Sequence, residues 1–336
     1  MRELITLHPF DEELKRFLSG KNISIFSTPT WNEILRSGFH VNAKYYCLRE
    51  NGQILLSLPG VLFDFKLVKV FYANMPYGEF IGDMGYIQSF LGLMEEHLKK
   101  EKVHLIRIAQ LGGQDSAWMK DYHPRKGYQH VLNLEGIGED ALWKTYKSSI
   151  RRNIKRAETS GVTIREIETK REMEELYRLY LETMGRNHAT PTWTKGVLYA
   201  IYDLLVKPGQ ASIYFALWEG KTIAGLILIN SENIASYFLG ASGTGFHSLR
   251  PNDFLFHQAI RRSLSAGKKK FDFMTCVEWD EDLIRFKEKW GAKRYPFVIY
   301  EKELNPFRAR IWAYLWKIAN SRVGSFLLGR LFVFFK

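Results

Sequence analysis

Cysteine is scarce in this 336-residue chain, which has only Cys47 and Cys276. Two thiols so far apart in sequence supply neither a disulfide framework nor a zinc cluster. The nine histidines fall in no HExxH or comparable ligand spacing, so no metal is expected. No apolar run approaches the roughly 20 residues that span a bilayer. The opening stretch, MRELITLHPFDEELKRF, is charged throughout and lacks an apolar signal core. A reducing, cytoplasmic compartment is therefore the expectation. Acidic residues are also in deficit, 36 against 48 lysines and arginines, for a formal charge of +12. That surplus favours anionic partners such as nucleic acid, nucleotide or lipid phosphates without naming one. With 46% hydrophobic residues the chain can bury a large core, and its length suggests two domains.

Part of the basic surplus lies mid-chain, in KSSIRRNIKRAETSG (147–161), where five basic side chains fall within ten residues. Ile150, Ile154 and Ala157 share one stripe at helical spacing. Lys147, Arg151 and Lys155 line its flank, Arg152 and Arg156 lie further round, and Gly161 is placed to stop the helix. Such a helix is either a solvated charged face or a phosphate-binding rim, since arginine presents a planar donor fork to phosphate oxygens. The carboxyl end is basic in another way. From Asn305 to Lys336 there are six basic residues, no acidic ones and many large apolar ones. Trp312, Tyr314 and Trp316 beside Arg308, Arg310 and Lys317 suit a membrane headgroup boundary. They equally suit an amphipathic helix docked on the protein's own core.

The chain also echoes itself. YYCLRENGQILLSLPGVL (45–62) resembles IYFALWEGKTIAGLILIN (213–230), each an apolar strand, a Gly turn at Gly52 or Gly220, and a second apolar strand. KGYQHVLNLE (126–135) echoes WGAKRYPFVIYEK (290–302) at nearly the same offset. Between these landmarks each half holds a strand, a helix and an apolar strand: VKVFYANMP, YIQSFLGLMEEHLKKEK and VHLIRIAQ in the first, ENIASYFLGAS, NDFLFHQAIRRSLSAG and KKFDFMT in the second. In the second half Asn252 is placed to cap the long helix and Gly267 to end it, and a further helix over 280–291 ends on Gly291. The fold class expected is α+β, two tandem copies joined by a basic helical segment. The limits expected are 1–138, a connector at 139–168, 169–304, and an amphipathic tail at 305–336.

This order resembles the GNAT acyltransferase fold, and tandem GNAT-like halves joined by a basic helix resemble the Fem family. That family includes the aminoacyl transferases of peptidoglycan cross-bridge synthesis and Fem-like acyltransferases associated with envelope polysaccharides. The stretches that carry the resemblance are YKSSIRRNIKRAETSGV (146–162), LRPNDFLFHQAI (249–260), KKFDFM (269–274) and LIRFKEKWGA (283–292). STPTWNEIL (27–35) is similar to the family's opening Trp-bearing helix, with Thr30 and Glu33 spaced as a capping box. The resemblance covers roughly residues 20–303. It implies that Phe286 and Lys287 form the functional pair beside the substrates.

Amide formation by acyl transfer needs the donor carbonyl held within reach of the amine, its oxyanion stabilised and a proton removed. Lys287 is the first choice for the cation, against ordinary helix decoration in a KEK sequence. Asp253 and Asp272 are candidates to accept the proton or orient a hydroxyl, although Asp253 equally suits the positive end of its helix and Asp272 a plain strand position. For an acceptor's pyrophosphate the candidates are Arg151, Arg152 and Lys155, with Asn252, Tyr77 and Tyr237 lining the cleft; core packing competes for both tyrosines. GASGTG (240–245) is the nearest approach to a phosphate-cradling loop. It keeps Gly243 and Gly245, but Gly240 stands where Gln or Arg is expected, so it reads as a degenerate loop or a turn. No tightly bound cofactor is expected, and the acyl donor is aminoacyl-tRNA or acyl-CoA.

Three functions follow. The first is an envelope-related N-acyltransferase at the cytoplasmic membrane face, taking a nucleotide- or lipid-linked acceptor, in contact with tRNA if that is the donor, and touching the membrane through 305–336. The second is an acetyl-CoA-dependent small-molecule N-acetyltransferase. The third is a nucleic-acid-binding module tracking a phosphate backbone through the central helix, which lacks a helix-turn-helix or RNP signature to support it. The first is preferred.

Overall fold

The computed structural model describes residues 1–112 and 117–319; the end of the expected tail, 320–336, lies outside the described residues. The first part of the chain forms β1 (Arg2–Leu7), α1 (Glu12–Leu18), α2 (Pro29–Phe39), β2 (Asn42–Glu50), β3 (Gln53–Asp64), β4 (Lys69–Gly78), β5 (Ile81–Gly82), α3 (Ile87–Lys100), β6 (Leu105–Leu111) and β7 (His123–Asn133). There follow α4 (Glu139–Thr145), α5 (Ser148–Thr159), β8 (Thr163–Glu166), α6 (Met173–Arg186), α7 (Lys195–Ile201), β9 (Ala211–Trp218), β10 (Lys221–Asn230) and β11 (Ile234–Ser242). The last elements are α8 (Pro251–Ser265), β12 (Lys270–Val277), α9 (Glu281–Glu288), β13 (Lys293–Glu303) and α10 (Pro306–Ala319).

Two compact units result. Met1–Tyr128 with Pro296–Leu315 make one, and Gln129–Tyr295 with the described residues 316–319 make the other. The limits expected from sequence differ for a definite reason. The end of β13 pairs with β6 over Phe297–Glu303 and Leu111–Leu105, inside the first unit. The end of β7 lies beside β12, inside the second. Nor is 139–168 a free connector, because Ile150, Ile154 and Ala157 of α5 are buried in the second unit's core with Trp290, Phe256 and Phe273. Burying one such phenylalanine stabilises the fold by about 1.5–3 kcal/mol.

Within the first unit β2 and β3 form an antiparallel hairpin, β3 pairs antiparallel with β4, and β4 lies parallel to β6 across α3. Within the second, β9 and β10 form the hairpin, β11 pairs antiparallel with β10, and β11 lies parallel to β12 across α8. Both hairpins turn on two successive left-handed residues, Asn51 (φ 51°) and Gly52 (φ 77°) in one, Glu219 (φ 49°) and Gly220 (φ 75°) in the other. This is the turn whose twist matches that of the strands.

The helix stops follow the sequence, with Gly161, Gly267 and Gly291 all at positive φ just past α5, α8 and α9. Two helix starts do not. α2 begins at Pro29 and is capped by Thr28, whose hydroxyl accepts from Trp31 N at 3.3 Å; proline at the first helical position moves the cap one place ahead of it. α8 likewise begins at Pro251, so Asn252 lies inside its first turn and leaves the cap to Arg250.

Candidate active site

The site begins where two parallel strands part. β11 and β12 are registered only over Ile234–Ser236 and Lys270–Asp272. Beyond that the facing residues line a cavity of about 460 Å³: Tyr237, Phe238, Gly240, Ala241 and Ser242 from β11, and Phe273, Met274 and Thr275 from β12. β10 adds Gly225 and Leu226, the end of α6 adds Thr183, Met184, Arg186 and Asn187, α8 adds Asn252, Leu255 and Phe256, and α9 adds Leu283, Phe286 and Lys287. No carboxylate lines it among the described residues.

Parted strands leave backbone carbonyls that must find donors. Lys287 supplies them, its Nζ donating to Met274 O at 2.9 Å and Thr275 O at 3.1 Å. α9 brings it there because Asp280 caps the helix by accepting from Leu283 N at 3.2 Å. Leu283, Phe286 and Lys287 then fall on one face at i, i+3 and i+4. Lys287 is only 3% exposed. Burying an ammonium costs several kcal/mol, and two charge-assisted hydrogen bonds return about 1.5–3 kcal/mol each. The deficit shows as a Lys287 pKa lowered from its ordinary 10.5, burial being the largest cause and the nearby Cys276, Asp272 and Asp280 opposing it. An ammonium has three donors; two face the chain, and one remains for a ligand.

Met274 holds a left-handed backbone, φ 62°, a strained choice for a non-glycine residue. Asp272 holds that bend. Its Oδ1 accepts from Met274 N at 2.8 Å and its Oδ2 from Gln129 Nε2 at 2.8 Å. Asp272 is therefore buried behind the lining, and it positions the Met274 carbonyl that Lys287 grips. Asp253 also lies outside the cavity lining. It accepts from Asn153 Nδ2 of α5 at 2.9 Å, and burial raises its pKa against the opposing effect of that bond.

Tyr237 lines the cavity, and burial raises its phenol, which keeps it a protonated donor. Its ring lies against Gly240, where an added Cβ would meet the Tyr237 Oη at 2.3 Å. Gly240 is thus required by its neighbour. Asn252 Nδ2 donates to Ser242 Oγ at 3.2 Å. Arg186, which sequence reasoning missed, donates through Nη1 to Ser242 O at 3.0 Å and through Nη2 to Ser242 Oγ at 3.3 Å. Two cations, Arg186 and Lys287, therefore line a cavity without acids, which favours an anionic or carbonyl-bearing ligand. The one signal for Arg186 was its place in the last turn of a helix.

Other candidates sit elsewhere. Tyr77 is buried in the first unit, edge-on to Phe26 at 4.9 Å. Gly243 and Gly245 do not line the cavity; Gly243 N donates to Ile223 O at 2.9 Å, and the Thr244 N–H between them is taken by the Glu182 carboxylate. A carboxylate on that amide repels the phosphate such a loop would cradle. Arg151 is half-buried, Arg152 and Lys155 are exposed, and none of the three makes an ion pair among the described residues. α5 adjoins α9, because Lys147 N donates to Lys289 O at 2.8 Å.

Residues 144–294 match the family described as Acetyltransferase (GNAT) domain, and residues 95–191 match the FemAB family. No curated protein is recognisably similar in sequence. Among solved structures the chain is similar to FemX, at 15% identity and TM-score 0.63, over 91% of this chain and 99% of that one. A tandem GNAT protein from the clavulanic acid biosynthesis pathway, solved without AcCoA, aligns at 11% identity and TM-score 0.61, over 90% and 98%. L-PGS from Bacillus licheniformis aligns at 14% identity and TM-score 0.57, over 89% and 94%. At such identities these likenesses show the tandem fold.

Proposed function

We propose that this chain, a Fem-like tandem GNAT acyltransferase, transfers an acyl or aminoacyl group to an amine on a cell-envelope saccharide or peptidoglycan-type precursor. Lys287 carries the reading. A buried ammonium at the parting of two strands, with one donor left over, suits the oxyanion that forms when an amine attacks an acyl carbonyl. In that step a C–N bond forms, the donor's C–O or C–S bond breaks, and the amine's proton ends on the departing oxygen or sulfur. With no carboxylate in the lining among the described residues, that proton passes to the leaving group itself or through water. Phe286, Phe256 and Phe273 keep the surroundings apolar, which strengthens the ammonium's pull.

The donor is aminoacyl-tRNA or acyl-CoA. The Glu182 carboxylate on Thr244 N–H and the bare Gly240 weigh against coenzyme A and favour the bulkier donor. The uncompensated cations of α5 suit a phosphate-bearing ligand, whether a nucleotide- or lipid-linked acceptor or tRNA. The FemAB match and the tandem fold shared with FemX support the acyl-transfer part of this reading.

The test is mass spectrometry of UDP- and lipid-linked amine acceptors incubated with the protein and either acetyl-CoA or charged tRNA. The acceptor should gain the acyl mass with one donor. Lys287→Met should lower the rate by about 10²–10³-fold, the range seen for losing one oxyanion donor, in a protein that still folds cooperatively although the Met274 and Thr275 carbonyls lose their donor. Because burial lowers Lys287, the ammonium, and activity with it, should be lost on the alkaline side below a free lysine's 10.5. A folded Lys287→Met protein working at the wild-type rate would falsify the assignment.

A further inference from the structure

The start of the carboxyl tail is docked, and what it leaves uncovered is unusual. Ile311 and Trp312 of α10 pack on Val68, Val70 and Leu105 in the first unit. Trp312 stacks on Phe65, ring centroids 4.6 Å apart, and Arg308 Nη1 donates to Leu67 O at 2.9 Å. These contacts join α10 to the β3–β4 turn, whose Phe65, Lys66 and Leu67 all face solvent. Along the helix Phe307, Ile311, Tyr314 and Leu315 fall at i, i+4, i+7 and i+8, one apolar stripe. Ile311 meets the core at the rim of that stripe, while Phe307 is 71% and Tyr314 67% exposed. Arg308 and Arg310 flank the stripe, and no acidic residue occurs from Asn305 onward. Asp64, the one acid beside the turn, is compensated by Lys69 at 3.4 Å.

We infer that α10 and the β3–β4 turn together form one surface that seats on an anionic lipid bilayer. An apolar stripe flanked by arginines, with aromatic side chains at its edge, is the pattern of a helix lying in the interface plane, its rings among the headgroups and its cations on lipid phosphate. Charge complementarity selects the occupant: a cationic rim whose neighbouring acid, Asp64, is offset by Lys69 repels a second copy of this basic chain and attracts an anionic surface. No helix among the described residues is long and apolar enough to cross a membrane, so the contact lies on the surface. The inference stands on these contacts alone and does not depend on the acyl-transfer reading.

The experiment is co-sedimentation of the full chain with vesicles of phosphatidylcholine alone or with about one-third phosphatidylglycerol, at low and high salt. Binding should need the anionic lipid and weaken as salt screens it. Phe65→Ser with Leu67→Ser should weaken it about tenfold, and so, separately, should Phe307→Ser with Tyr314→Ser; all four positions are exposed, and a melt confirms folding. Binding that is equal on neutral vesicles overturns the inference. So does binding unchanged by the turn variant, which would leave the segment beyond 319 acting alone. A wild-type dimer in sedimentation that either variant abolishes would assign the surface to a second copy instead.

Discussion

The two units build the same hairpin and the same strand–helix–strand crossover, and they fill the gap between their parted parallel strands in opposite ways. In the first unit β4 and β6 are registered over Val70–Ala73 and meet again at Gly78 and Gln110. What lies between is plugged. Trp31 of α2 donates its indole N–H to Met75 O at 2.6 Å, and Phe26 sits edge-on to both Trp31 and Tyr77 at 4.9 Å. Even Gly78 has no room, since an added Cβ would meet Ser27 Oγ at 2.4 Å. In the second unit the strands part after Ser236 and Asp272, a cavity remains, and the carbonyls are met by an ammonium. The element that carries it, α9, has as its counterpart between β6 and β7 only a 3-10 turn, Ala117–Met119, among the described residues. A duplicated scaffold thus offers the same opening twice. An indole closes it and stabilises; a lysine leaves it open at a cost in stability, and that cost is where chemistry is to be sought.

Substitutions sharpen this contrast. The largest change in stability is expected from Trp31→Ala, which empties the plug and strands the Met75 carbonyl; about 3–5 kcal/mol should be lost in denaturant titration. The same variant should leave the second unit's ligand binding intact, and a loss of binding would blur the division of labour. Acid should separate the units next. Burial holds His257, which packs against Trp143 and Tyr146 at 5.3 and 5.7 Å, down at about 4 from its ordinary 6.5. It is neutral in the fold and takes a proton on unfolding, so its contribution is whole above about pH 6.5 and drains away as pH falls to about 4. His257→Gln should remove on the order of 2 kcal/mol of that acid dependence, read as unfolding midpoints at pH 7, 5.5 and 4.5. The smallest effect should come from the α5 rim. Arg151→Ala with Arg152→Ala should raise the acceptor KM about fivefold to tenfold, as losing a phosphate contact does, and move kcat less. An unchanged KM would return those arginines to a solvated face.

Much of this was legible in the residues. The repeated Gly turns, the α5 stripe and the helix stops at Gly161, Gly267 and Gly291 depend on neighbours within a few positions, where spacing and backbone freedom act directly. That Lys287 and Phe286 line the cavity was legible only through family resemblance, because KEK on a helix looks the same buried or solvated. Asp253 and Asp272 were named for acid–base work, and their carboxylates are instead held by Asn153 and by Gln129 with Met274 N. Both partners are remote in sequence or hidden in a backbone bend. Arg186 went unnoticed for the same reason, since what distinguishes it is its pair of bonds to Ser242, 56 positions away in sequence.

The sequence alone determined the element types, the duplication, the cationic surplus and the apolar faces, because these follow from local periodicity and composition. Tertiary structure decided which half closes its gap, which strands complete each unit and which charged side chain bears burial. Those outcomes turn on contacts between residues tens to hundreds of positions apart, where hydrogen-bond satisfaction and desolvation set the energy and no local pattern records the result.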